Sequence, residues 1–213
     1  MKVGIIGSSD VGASIGKKLI SFASEVTYGL RELSDDKIEK IKKISPDVAY
    51  STIKSTIENS DIIFIAIPGY AVEGFAKQYP ELGEKTIVDC TNPIGEGVTH
   101  FHKSARSNTQ IIQELYPKAK VVKSFSAYGF ANFIDSSYKN YNEVKPAMLI
   151  AGNDSEAKDI VAKINEHFGF ETVDAGDVSM ALHLEHQALL WINMFHVQGR
   201  DFDFTWAQLR RDK

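Results

Sequence analysis

Short apolar runs alternate along this chain with segments whose apolar positions recur at helical spacing. "KVGII" (2–6) is an apolar run bounded by glycine and predicts a buried strand. Behind it, Val11, Ile15, Leu19 and Phe22 fall on one helical face. "EVTYG" (25–29) predicts a second strand and "DVAYS" (47–51) a third. Between them Ser34, followed by Asp35 and Asp36, is placed to cap a short helix continuing through "KIEKIKKI". "DIIFIAI" (61–67) is apolar on both faces, as a central parallel strand must be, and Pro68 and Gly69 end it. "TIVDC" (86–90), "KVVKSF" (120–125) and "AMLIAG" (147–152) repeat the theme, with helical patterns in "NTQIIQELY" and "SEAKDIVAKINEHF".

This alternation predicts an α/β protein with a doubly wound, mainly parallel sheet covered on both sides. The polar, irregular stretch "YKNYNEVKP" (138–146) suggests a division into a dinucleotide-binding domain over 1–145 and a smaller helical C-terminal lobe over 146–213. Within the lobe, "ALLWINMF" (188–195) is apolar nearly all round its helix, interrupted by Asn193. Such a helix is buried, as core or as half of a dimer interface, or as a wall of a flat-ring pocket formed with Trp191 and Phe195. A homodimer anchored on Trp191 and Phe195 is the expectation.

Composition narrows the function classes. The 213 residues are 43% hydrophobic and 24% charged with a formal net charge of −4, and no long basic run is present, so nucleic acid is not an expected partner. The longest apolar stretch is far short of a membrane span, and the N-terminus is too short and polar for a signal peptide. A cytoplasmic protein with no membrane partner is expected. Cys90 is the only cysteine, which excludes an internal disulfide and a cysteine-rich zinc site. It reads as a buried inert thiol before a redox one.

"GIIGSSDVGASIG" (4–16) follows the first strand and opens the first helix. Gly7 and Gly12 stand at the outer positions of a G-x-G-x-x-G turn, and Ser9 replaces the middle glycine. Backbone N–H groups at such a helix start point at a pyrophosphate. Ser9 is small enough to stay, as a phosphate donor or as a helix cap together with Ser8. The second strand leads into "TYGLRE": no acid stands at its end to grip a ribose 2′-hydroxyl, and Arg31 stands where an arginine accommodates a 2′-phosphate. Loop and arginine together predict NADP.

Other candidates are weaker. His183 and His186 share a helix face, but no cysteine or acid is placed to complete a zinc site, and no metal site is expected. His100 and His102 alternate in a loop, and His196 reads as a pocket, core or interface residue. No catalytic triad or carboxylate pair stands out, which suits hydride transfer between planar rings, where alignment outweighs acid–base groups.

The motifs "VGIIGSSDVG", "VTYGLR", "DIIFIAIP", "IVDCTNP", "VVKSFSAYGFANF", "LIAGNDSEAKDIV", "VDAG" and "LEHQALLWIN…GRDFDF", in that order, resemble the NADP-dependent deazaflavin (coenzyme F-420) oxidoreductases. The cytoplasmic domain of the six-transmembrane metalloreductases is similar too. The resemblance covers nearly the whole chain. It implies a Rossmann-type fold with NADPH as cofactor and a small-molecule redox acceptor, a deazaflavin or flavin, as hydride partner. Carried over residue by residue, Gly7, Ser8, Ser9, Asp10 and Val11 form the phosphate loop, and Arg31 takes the 2′-phosphate position. Ile67 and Pro68 lie along the cofactor, Asn92 and Pro93 follow the next strand, and Phe125, Ser126 and Ala127 lie at the nicotinamide carboxamide. Leu30 replaces the usual serine before the arginine. Ser126 stands where many relatives have asparagine, so substrate identity does not carry across. Flavin-mediated metal reduction and a non-catalytic NADP sensor are the alternative functions.

Overall fold

The computed structural model describes residues 1–141 and 143–211. Eight strands form one sheet: β1 (Lys2–Ile6), β2 (Glu25–Leu30), β3 (Ala49–Thr52), β4 (Ile62–Ile65), β5 (Thr86–Asp89), β6 (Lys120–Lys123), β7 (Ala147–Gly152) and β8 (Glu171–Asp174). Their order is β3-β2-β1-β4-β5-β6-β7-β8. Every pairing is parallel except β6 with β7. The winding is that of a Rossmann-type fold, and its direction reverses between β1 and β4. Open sheets of this kind take ligands in the crevice beyond the strand ends at that reversal. The register sets Ile6 level with both Gly29 and Ile65, so the three strands end together beneath it.

The helices are α1 (Asp10–Leu19), α2 (Asp35–Lys42), α3 (Ile53–Asn59), α4 (Val72–Gln78), α5 (Asn108–Leu115), α6 (Ala131–Ile134), α7 (Ser155–His167) and α8 (Ala181–Ile192). α1 lies close on the sheet because Gly16 has no side chain. A Cβ there would overlap the Tyr28 hydroxyl and stand 2.7 Å from its ring carbon Cζ. That hydroxyl donates instead to the Gly12 carbonyl at 2.9 Å. Two apolar cores, one on each face of the sheet, carry most of the packing.

The sheet runs across the expected division at residue 145. β7 continues it from β6, and Met148, Ile150, Val161 and Phe168 share one core with Val3, Phe64 and Val122. The chain beyond β8 comprises α8, whose Ala181 and Leu184 pack on Ala151 of β7, a π-helical turn over Asn193–Val197, and the segment after it. That segment has no regular structure but is tied down: the Trp206 carbonyl accepts from the Ala147 N–H (2.8 Å), and the Phe202 carbonyl from the Asn132 amide (2.9 Å). Trp191 is correspondingly filled in by its own chain. Its indole N–H donates to the Phe204 carbonyl at 2.9 Å and its ring stacks on Phe204 at 5.2 Å. It is therefore not a free anchor for a second copy. Leu190, Phe195, Val197 and Phe202 remain exposed. No helix among the described residues is long and apolar enough to cross a membrane.

Candidate nucleotide site

A cavity of ≈ 680 Å³ lies at the sheet reversal, over the ends of β1, β2 and β4. Of the thirteen residues expected to hold a cofactor, Gly7, Ser8, Ser9, Arg31, Ile67 and Pro68 line it. Gly7 makes the tight turn with φ +127°, a region that favours glycine, and a Cβ there would overlap the Ala66 carbonyl. Ser9 caps α1. Its hydroxyl oxygen accepts from the Gly12 N–H at 3.5 Å and its O–H donates to the Ala66 carbonyl at 3.3 Å. The hydroxyl thus closes the loop against β4, the geometry of the cap reading. Asp10 opens α1, 4.0 Å from Lys40, and Val11 packs toward the core.

Arg31 is exposed on the cavity rim and makes no ion pair among the described residues. Two lysines absent from the sequence expectation, Lys37 and Lys40, line the same space from α2. Their signal was present in "SDDKIEKIKK": a helix opening just after the arginine must present its first turns to the same strand ends. Glu32, the first acid past β2, pairs with Lys37 at 3.7 Å. Tyr70, on the turn after Pro68, adds an exposed ring to the lining.

The remaining expected residues gather at the ends of β5 and β6. The Asn92 side chain donates its amide N–H to the Ser126 carbonyl at 2.8 Å, and its Oδ1 is buried with no partner among the described residues. The Pro93 carbonyl accepts from the Phe101 N–H. Ser126 and Ala127 are buried. Phe125 departs from the expectation. Its backbone turns left-handed (φ +53°) and its ring enters the core against Phe168 (4.8 Å), Phe133 and Phe64. Its side chain packs and does not face a ligand.

Behind this second group lies a buried ionic network that sequence reasoning missed. Lys123, Asp89 and Glu185 are fully buried. The Lys123 ammonium meets Asp89 at 3.1 Å and Glu185 at 3.6 Å, and donates to the Thr91 carbonyl. Asp89 also accepts from the Thr109 hydroxyl (2.6 Å) and the Thr91 N–H (2.9 Å). Burial works to lower the Lys123 pKa, but the two carboxylates override it and hold it above its usual value. Glu185 accepts from the first N–H of α5, on Asn108 (2.8 Å), and lies 2.9 Å from His100 Nε2. Burial raises its carboxyl to about 7 against the pull of Lys123. His100, buried and crowded by His186 and His102, is lowered to about 4. The Cys90 thiol is raised by burial and by Asp89, which makes it unreactive.

Residues 2–93 match the family described as "NADP oxidoreductase coenzyme F420-dependent". Among curated proteins, the chain is 26% identical over 186 residues to Metalloreductase STEAP3 of Rattus norvegicus, an alignment spanning 86% of this chain and 36% of that protein. Among solved structures, a candidate F420-dependent NADP-reductase from Arthrobacter sp. FB24 superposes with a TM-score of 0.86 at 22% identity, over 99% of this chain and 100% of the other. A reductive aminase from Aspergillus terreus, solved with NADPH, superposes with a TM-score of 0.66 at 15% identity, over 93% of this chain and 62% of that one. The Rossmann-type fold and the family resemblance read from the motifs are both found.

Proposed function

We propose that this chain is an NADPH-dependent oxidoreductase that passes hydride to a flat acceptor of deazaflavin or flavin type. The observation that carries the reading is one cavity joining the Gly7–Ser9 turn, at the start of α1, to Arg31, which has no ion pair among the described residues and is flanked by Lys37 and Lys40. The residues fit the cofactor. The turn has no room for a side chain at Gly7, and the helix start supplies backbone donors for a pyrophosphate. Three cations around one rim suit a 2′-phosphate, and Glu32, the first acid past β2, is engaged by Lys37. Asn92 offers an unpartnered acceptor at the far end, where a carboxamide N–H would satisfy it.

Bound NADPH supplies two electrons and one proton as hydride, and the acceptor takes its second proton from solvent. The chain's own part is to bind and align. Arg31 and the lysines orient one end of the dinucleotide, the Gly7 turn fixes the middle, and the paired turns at 91–93 and 125–127 fix the other. Similarity to a metalloreductase favours flavin-mediated metal reduction as a second reading; the chain spans about a third of that relative. We also propose a cytoplasmic location, one compartment in which NADPH is supplied. We also propose a homodimer using the exposed Leu190, Phe195, Val197 and Phe202.

Calorimetric titration with NADPH and NADH tests the cofactor, and turnover with a panel of deazaflavin, flavins, quinones and ferric chelates tests the acceptor. NADPH is expected to bind far more tightly than NADH and to reduce a ring acceptor. Binding of neither nucleotide overturns the reading. Tight NADPH binding with no turnover of any acceptor makes the protein a sensor.

A further inference from the structure

Glu185 sits where three elements meet. Its carboxylate receives the first N–H of α5, the ammonium of β6 and the imidazole of the loop that follows Pro93. The proton positions along this chain are fixed by its outer end. The Ser104 N–H points at His100 Nδ1 (3.3 Å), so Nδ1 is the acceptor and Nε2 carries the hydrogen, which it donates to Glu185. Lys103 and Ser104, both with positive φ (52° and 59°), hold that N–H in place. Every hydrogen-bond and ion-pair partner of the carboxylate is therefore a donor. A proton on Glu185 would meet a donor at each of these contacts, and one of them would have to break.

The contacts that would break lead to the cofactor-facing turns. The Asn108 side chain donates to the Gly69 carbonyl (3.2 Å), next to Pro68, and to Thr91 Oγ1 (2.8 Å), next to Asn92. Lys123 holds the Thr91 carbonyl. The His100 loop starts at Pro93 and is pinned by its bridge to Ile94. We propose that Glu185 is a positioning residue that, as an anion, holds the 67–69 and 91–93 turns in the geometry that receives the nucleotide, so that NADPH binding expels a proton from it. This rests on the NADPH reading above.

The titratable groups facing Glu185 are Lys123 on β6, Asp89 on β5 and His100 on the loop. His186 on α8 stacks on His100 at 5.2 Å, and His102 stands 6.0 Å from it. With its carboxyl raised to about 7 by burial, Glu185 changes charge near neutrality.

The test is the NADPH affinity of the native protein and of Glu185→Gln between pH 6 and 8.5, by calorimetry in buffers of differing ionisation enthalpy. The native protein is expected to lose about tenfold in affinity from pH 8 to 6, the limit for one proton expelled from a group titrating at about 7. Glu185→Gln is expected to lose less across the same range and to release about three-quarters of a proton fewer at pH 6.5. The 2′-phosphate's own titration is common to both proteins and cancels in the comparison. Should Glu185→Gln not fold, His100→Phe removes the donor to Glu185, and the midpoint of the affinity profile is expected to move to higher pH. Identical pH profiles and proton release in native and variant proteins overturn the proposal while leaving the cofactor reading intact. Absence of NADPH binding by the native protein at any pH overturns the cofactor reading, and this proposal with it.

Discussion

Replacing Lys123 with Met puts the buried network under the most direct strain. The ammonium is fully buried with three partners: Asp89 at 3.1 Å, Glu185 at 3.6 Å and the Thr91 carbonyl. Methionine fills most of the volume, so packing changes little. What remains is two carboxylates in a site closed to water with no cation between them. Removing one partner of a buried pair typically costs about 3–5 kcal/mol. The loss is also pH-dependent, with a definite sign. Orphaned carboxylates take up protons in the folded state at a higher pH than in the unfolded chain. The folded variant then binds more protons than the unfolded one, so its stability falls as pH rises and recovers as pH falls. The deficit relative to the native protein should be largest near pH 8 and shrink toward pH 5. Urea unfolding followed by tryptophan fluorescence at pH 8, 6.5 and 5 measures it. Asp89→Asn in the Lys123→Met background should cost less than the sum of the single changes. A variant within about 1 kcal/mol of native at pH 8, or a deficit constant with pH, would refute the argument.

Arg31→Ala should weaken NADPH by about 10- to 150-fold and NADH little, because a charge-assisted contact to phosphate is worth about 1.5–3 kcal/mol; equal losses for both nucleotides in titration remove Arg31 from its role. Gly16→Ala should destabilise by about 1–3 kcal/mol despite alanine's better helix propensity, since α1 must lift from Tyr28. Tyr28→Phe in that background should restore only part of the loss in thermal unfolding, because the ring carbon stays in the way. Light scattering at micromolar concentration should show a dimer that Phe195→Asp dissociates; a native monomer ends the dimer proposal.

Much of the sheet was legible because a doubly wound sheet writes itself as apolar runs separated by helical periodicity. The tight turn after β1 was legible for a related reason: a turn that excludes a side chain must use glycine, and Gly7 sits directly after β1. The misses follow from short or half-exposed elements. α3 is seven residues of "IKSTIEN", where β-branched Ile and Thr blur the period. α4 carries Gly74 in its first turn, and β8 is mostly half-exposed. The His100–Glu185 contact joins residues 85 apart, which no local pattern encodes. Two oddities did mark the network: Lys123 inside a strand otherwise buried on both faces, and Glu185 on the apolar side of α8 between Leu184 and Ala188. A charge on a buried face calls for a partner, but only the fold says which. Phe125 was assigned from its motif alone, and its left-handed backbone, which reverses the side chain, leaves no trace in the sequence.

The segment after the π-helical turn bears on when this protein can finish folding. Its backbone supplies the acceptor for Asn132, 70 residues earlier, and a donor for the Tyr128 hydroxyl, 78 residues earlier. Phe204 and Trp206 pack against a core begun by β1. Closure of that face therefore depends on residues made among the last of this stretch, and contacts of such separation form slowly. During synthesis the sheet's first six strands can pair while the groove over Tyr128 and Trp191 stays open, an apolar surface that residues 202–206 help to cover.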